Sequence, residues 1–293
     1  MKIGVTGSSG FLGSALVPAL RAAGHDVVRF VREPASAVEE RRWDAVSLPP
    51  DALSDLDAVV HLSGAGVGDK RWSASYKRTI LDSRVQSTRA VALAVAGAGT
   101  PVLLSASAIG YYGDGGDREL DEGAPAGSTF LADVCVQWEA ATGPADATAR
   151  VVHLRTGIVQ ARHGGALAKQ LPVFKAGLGA PLGSGRQWVS WIALQDEVAA
   201  IVHLLTADVS GPVNLVAPAP VTNRDYTKAL GRALHRPTLP VPVPGLVLRA
   251  GLGEFADEVL GGQRLTPRVL NDSGFAFSHP TLESALEAAL ADE

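Results

Sequence analysis

Four short runs along the chain are almost wholly apolar: Val27–Val31 (VVRFV), Ala58–Leu62 (AVVHL), Pro101–Leu104 (PVLL) and Val151–Arg155 (VVHLR). Strands covered on both faces read this way, because neither face can be polar. Between the runs the apolar positions recur with a helical period. They predict helices from about Gly10 to Ala23, Ser73 to Ala96 and Leu131 to Thr142, with a first strand in KIGVTG before them. Strand and helix in alternation imply an α/β fold, a Rossmann-type doubly wound parallel sheet with right-handed crossovers.

From Ala161 the texture changes. A Gly- and Pro-rich stretch predicts loops and one short helix, WVSWIALQDEVAAIVHLLT regains a helical period, and GPVNLVAP predicts one more strand. A helix follows Pro218. The run PTLPVPVPG cannot be a helix interior. One apolar helix, LVLRAGLGEFADEVLGG, and a terminal helix, TLESALEAALA, complete the pattern. Residues 1–160 and 189–217 are expected to form the Rossmann domain. Residues 161–188 and 218–293 are expected to form a smaller, mostly helical lobe over the sheet's C-terminal edge.

Composition narrows the function classes. The 293 residues carry a formal net charge of -4, which leaves no basic footprint for nucleic acid. A single cysteine, Cys135, excludes an internal disulfide and fits a reducing cytosol, so a cytoplasmic protein is expected. No apolar run reaches the roughly 18 residues of a membrane span, and the opening MKIGVTGSSG is too short and Gly-rich for a signal peptide. The reading leaves a homodimer open.

The strongest chemical signal is VTGSSGFLG, with Gly7, Gly10 and Gly13 between first strand and first helix. Gly7 permits the tight turn, Gly10 lets backbone approach a pyrophosphate, and Gly13 allows close helix–strand packing; the helix N-terminus adds free N–H groups. Arg32 and Glu33 stand where the second strand ends. Arg32 suits the 2′-phosphate of NADP, and Glu33 leaves NAD open. HLSGAG, with Leu62, Ser63 and Gly64, would pass beneath adenosine and ribose.

Residues 1–217 resemble the extended short-chain dehydrogenase/reductase superfamily. The resemblance rests on the T-G-x-x-G-x-x-G turn at Thr6–Gly13, LLSASAIGYYG, and WVSWIALQDEVAAI. Five further segments in order, GDKRW, DSRVQSTR, SASAIGYYGD, FLADVCVQWE and the long tail from Leu248, are similar to its atypical "epimerase family" branch, whose members carry their own C-terminal domain. The resemblance implies NAD(P) binding by Gly7, Gly10, Phe11, Leu12, Gly13, Arg32, Leu62 and Gly64. Ser9, Ser63 and Ser105 in the same segments, and Arg71, are expected beside them.

It also implies a Tyr-x-x-x-Lys pair that this chain lacks. Counted back from Glu139, the two positions hold Leu131 and Cys135; a shift of one gives Phe130 and Val134. Ser107 matches the serine that polarises a substrate carbonyl, and Tyr111 is the candidate acid/base. Lys70 or Arg71 could supply a positive field. Trp188 and Trp191, with Arg186, read either as walls of a pocket for a planar or anionic ligand or as anchors of the lobe. Cys135, His61, His153 and His203 read as packing residues, and no metal-ligand spacing occurs. The first functional reading is an NADP(H)-dependent oxidoreductase on an unidentified small carbonyl or hydroxyl compound. The second is an NADP(H)-sensing regulatory protein, and a nucleotide-sugar epimerase or dehydratase comes third.

Overall fold

The computed structural model describes residues 1–291. Seven strands form one parallel sheet: β1 (Lys2–Thr6), β2 (Asp26–Val31), β3 (Glu40–Arg42), β4 (Ala58–His61), β5 (Val102–Ala108), β6 (Arg150–Thr156) and β7 (Gly211–Leu215). Their spatial order is β7-β6-β5-β4-β1-β2-β3. Direction of travel reverses between β1 and β4, and the crevice beyond their C-terminal ends is where doubly wound sheets hold ligands.

β3 escaped the sequence reading. Its residues are Glu-Arg-Arg, which carry no apolar signal, and only an edge strand tolerates such charge. The sheet is covered by α1 (Phe11–Ala22) on one face and α2 (Ala74–Ala98) on the other. Ile3, Val5, Leu16, Leu20 and Leu104 belong to the first core, and Val59, Val91, Val95 and Leu103 to the second.

Helix limits follow local chemistry. The Ser73 side chain accepts from Tyr76 N–H and opens α2, and Gly99 in the left-handed region (φ 69°) closes it. The Thr129 side chain likewise accepts from Ala132 N–H and opens α3 (Phe130–Ala140).

Two expectations after Ala161 need correction. The helical period assigned to residues 188–206 begins only at α5, counted after α4 (Gly165–Lys175) and running Leu194–Leu204. Before it, Trp191–Ala193 is extended and pairs with Ile158–Gln160, a tertiary contact that outweighs local propensity. The single apolar helix expected at residues 246–262 is two. Following α6 (Asn223–Ala233), α7 (Gly245–Leu252) ends where Gly253 turns to φ 64°, and α8 (Phe255–Leu260) starts afresh. Two further helices, α9 (Arg268–Asp272) and α10 (Leu282–Ala291), complete the C-terminal region. A third core joins α4, Trp191, α6 and α10 through Leu167, Phe174, Leu230 and Leu286.

Candidate functional site

The Gly-rich turn is held by contacts that leave no room for side chains. Gly7 has φ 65°, and a Cβ there would lie 2.8 Å from the Leu62 carbonyl carbon. A Cβ on Gly13 would lie 2.2 Å from Gly7 O, so α1 is seated directly on the turn. The Gly10 N–H donates to Gly7 O at 2.9 Å. No side chain caps α1 and no carboxylate sits in its first turn, so its positive end faces outward beside exposed Ser9 and half-buried Phe11 and Leu12.

At the same edge, half-buried Leu62 and Ser63 and exposed Gly64 continue β4. Ser105 lies level with His61 of β4 and His153 of β6. Its Oγ is buried without a hydrogen-bond partner. An uncapped helix end and a turn only glycine can make suit the pyrophosphate of a dinucleotide, whereas the Ser105 hydroxyl is closed off from the crevice.

Arg32 is exposed just past β2, with Glu33 exposed beside it. The structure adds a residue the sequence reading passed over. Arg29 lies within β2, its Nε 3.5 Å from Ser8 Oγ in the turn and its Nη1 3.4 Å from Glu40 of β3. Its signal was a lone charge inside the otherwise apolar VVRFV.

Beyond β5, β6 and β7 a polar cluster replaces the expected pair. Ser107, Arg155 and Asn214 are direct register partners across three adjacent strands. The Ser107 hydroxyl donates to Glu139 Oε1 at 2.6 Å. Arg155 donates to both Glu139 oxygens at 2.8 Å and to the Tyr112 hydroxyl at 2.9 Å. Tyr112 donates onward to Asn214 Oδ1 at 2.7 Å. Burial raises the Glu139 carboxyl's pKa, but Arg155 and Ser107 more than offset it, and the net shift is downward. Burial pushes the Tyr112 phenol up to about 12, so it stays protonated and structural.

Tyr111 differs from its neighbour. Its ring lies flat against Arg155, 3.5 Å from the guanidinium carbon to the ring centroid. It is half-buried, and its hydroxyl makes no hydrogen bond among the described residues. The two positions expected to hold Tyr and Lys pack instead. The Leu131 Cβ sits 3.3 Å from where a Gly110 Cβ would stand, and Cys135 Sγ points to Ala108 O at 3.6 Å. Burial raises the Cys135 thiol to about 12, which removes it as a nucleophile.

The remaining candidates divide. Arg71 is exposed and donates to Ala250 O at the end of α7, so its guanidinium is engaged with the C-terminal region. Lys70 lies over the Tyr76 ring at 5.9 Å. Trp191 is 0% exposed and donates to Ala219 O, which selects the anchor of its two readings over the pocket wall. Trp188 bonds Asp117 and stacks under Arg264, while Arg186 is exposed. His61 is buried between Thr6 and Thr88, and desolvation lowers its pKa to about 3. Among the described residues no His/Cys/Asp/Glu cluster could hold a metal, and no helix is long and apolar enough to cross a membrane. A cleft of about 560 Å³ touches Ser9, Gly10 and Phe11 but runs toward Arg162, His163 and Gln195, away from Ser107 and Tyr111.

Comparison with known proteins gives concordant results. The model of the NAD dependent epimerase/dehydratase family matches residues 3–216, and that of a domain of unknown function, DUF1731, matches residues 243–289. An epimerase family protein of Mycobacterium bovis is 50% identical over 289 residues, 97% of this chain and 96% of its own. The human epimerase family protein SDR39U1 is 34% identical over 299 residues, 99% of this chain and 100% of its own. The crystal structure of human SDR39U1 (isoform 2) with NADPH superposes with a TM-score of 0.90 at 32% identity, covering 100% of both chains. The chain belongs to the NAD dependent epimerase/dehydratase family and carries that family's parallel-sheet fold.

Proposed function

From this membership we propose that the chain binds NADP(H) and transfers hydride to or from a small carbonyl or hydroxyl compound, with Tyr111 as its proton donor and acceptor. The observation that carries the proposal is the Tyr111 phenol, unbonded and stacked on Arg155 beside Ser107 at the crevice edge. NADP(H) is favoured by exposed Arg32 at the end of β2 and by the NADPH bound in the human relative.

The reduced nicotinamide, when bound, supplies hydride. Everything else falls to this chain's residues. The turn at Gly7–Gly13 and the α1 N-terminus would hold the pyrophosphate, and Arg32 would take the 2′-phosphate. Ser107 has given its only proton to Glu139, so toward a ligand it can only accept. It therefore orients a substrate hydroxyl rather than polarising a carbonyl. The hydroxyl free to donate to a carbonyl oxygen is that of Tyr111, whose ring the Arg155 guanidinium holds in place.

The purified protein is incubated with NADPH deuterated at nicotinamide C4, each face in turn, and a metabolite extract, and products are searched by mass spectrometry. Label in a metabolite that vanishes with Tyr111→Phe supports the proposal. Silence on both faces with tight NADPH binding overturns net reduction. It would favour the second reading, an NADP(H)-sensing regulator, for which one observation speaks: Leu131 and Cys135 fill the positions of the usual proton relay.

A further inference from the structure

One cation at the crevice edge has no anionic partner. Arg84 projects from α2 into the space between the segment after β4 and α3. Its guanidinium carbon lies 4.8 Å from the centroid of the Trp138 ring. Its only hydrogen bond among the described residues is from Nη1 to Ile80 O at 3.0 Å, one turn back on its own helix. Among the described residues no carboxylate comes within ion-pair distance of it. The groups facing it are Trp138 and Cys135 from α3, Tyr76 from α2, and the backbone at Gly64. Burial lowers its pKa, and none of these neighbours carries a full negative charge.

A guanidinium has five N–H donors, and on half-buried Arg84 a single one is taken by protein among the described residues, which leaves the others open to solvent or to a ligand. Exposed Gly64 lies directly against it. A Cβ there would lie 3.4 Å from the Arg84 guanidinium carbon and 3.6 Å from Nη1. Gly64 is exposed and does not have a left-handed backbone, so turn geometry does not require glycine. What glycine does here is leave the cation roofed by bare backbone at the ligand edge of the sheet.

We propose that Arg84 is a dinucleotide-binding residue, its guanidinium donating past Gly64 to the ribose–phosphate portion of the cofactor. The inference rests on the cofactor reading given above. It assigns to α2 a positive charge that α3, with Cys135 facing the same space, does not supply. Trp138 holds the guanidinium plane, and the bound cofactor answers its free donors. Arg84 thus joins the turn, the helix end and Arg32 as a further contribution to binding.

The test is NADPH affinity measured by calorimetry on the full chain, with thermal melting of each variant alongside. Arg84→Gln is expected to weaken NADPH about 10–100-fold, the worth of a charged hydrogen bond. Cys135→Lys placed in the Arg84→Gln background is expected to recover most of that loss, because it returns a cation to the same space. Gly64→Ala, which has room for its methyl, is expected to weaken NADPH by a smaller factor with melting unchanged. If Arg84→Gln lowers the melting temperature but leaves affinity at the wild-type value, Arg84 is a brace for Trp138 and the proposal is wrong. Should Arg84→Gln not fold, unchanged affinity in Gly64→Ala overturns it equally. Wild-type protein that binds neither NADPH nor NADH removes the cofactor reading itself, before Arg84 is at issue.

Discussion

The Ser107 hydroxyl donates to Glu139 Oε1 at 2.6 Å, and Glu139 is itself clamped by two 2.8 Å bonds from Arg155. A serine on a strand matching the family's carbonyl-polarising position has thereby become part of a buried ion-pair cluster. Its neighbour Arg155 is then the structural centre of the site, fixing Tyr111 by stacking and Tyr112 by a hydrogen bond.

Ser107→Ala should therefore register first in stability. Loss of a hydrogen bond to a charged, largely buried carboxylate costs about 1.5–3 kcal/mol. Urea unfolding of wild type and variant reads this directly, and NADPH affinity should stay within a factor of about two, since no binding donor is lost. A variant as stable as wild type would mean that the Glu139 bond contributes nothing.

Tyr111→Phe should do the reverse. Its hydroxyl is bonded to nothing among the described residues, so melting temperature and NADPH affinity should not move. Turnover should fall about 10²–10⁴-fold if the phenol carries the proton. Equal turnover in the variant would leave water or the substrate as the proton source.

Arg32→Ala should separate the two cofactors. A guanidinium on a 2′-phosphate makes charge-assisted bonds that NADH cannot accept. NADPH should weaken about 10–100-fold and NADH hardly at all, as measured by titration of each. A loss shared by both would place Arg32 on the common part of the dinucleotide, and would direct attention to Arg29 beside Ser8.

The sheet was legible because doubly buried strands have no polar face to hide the pattern: VVRFV, AVVHL, PVLL and VVHLR are all strands of the parallel sheet. The turn was legible because Gly7 and Gly13 sit where a Cβ would strike backbone, which only glycine avoids. The polar cluster was not. Ser107 and Tyr112 share one segment but Glu139, Arg155 and Asn214 come from three others, and only strand register sets Ser107, Arg155 and Asn214 in one row. Nor was the break between α7 and α8, since Gly251 and Gly253 fit an apolar helical period until one of them adopts positive φ. Trp191 was legible only as a choice between pocket wall and anchor, and its pairing with Ile158 puts it in a core.

Glu197 should make stability fall as pH rises. It is fully buried at the start of α5, accepts from Thr156 at 2.8 Å through Oε1, and has no partner for Oε2. Desolvation raises its pKa from the ordinary 4.5 to about 8. Between these values the folded state holds a proton that the unfolded state has released, so the slope of stability with pH is negative. The contribution is fully present below about pH 4.5 and is lost on the way to about pH 8, a change on the order of 5 kcal/mol across the window. Glu197→Gln keeps the shape and removes the titration. Urea unfolding at half-unit steps from pH 5 to 8.5 should give a wild-type curve that descends relative to the variant, with the variant the more stable of the two at the alkaline end. Parallel curves would mean that Glu197 is ionised in the folded protein, with its charge answered by a group close to Oε2.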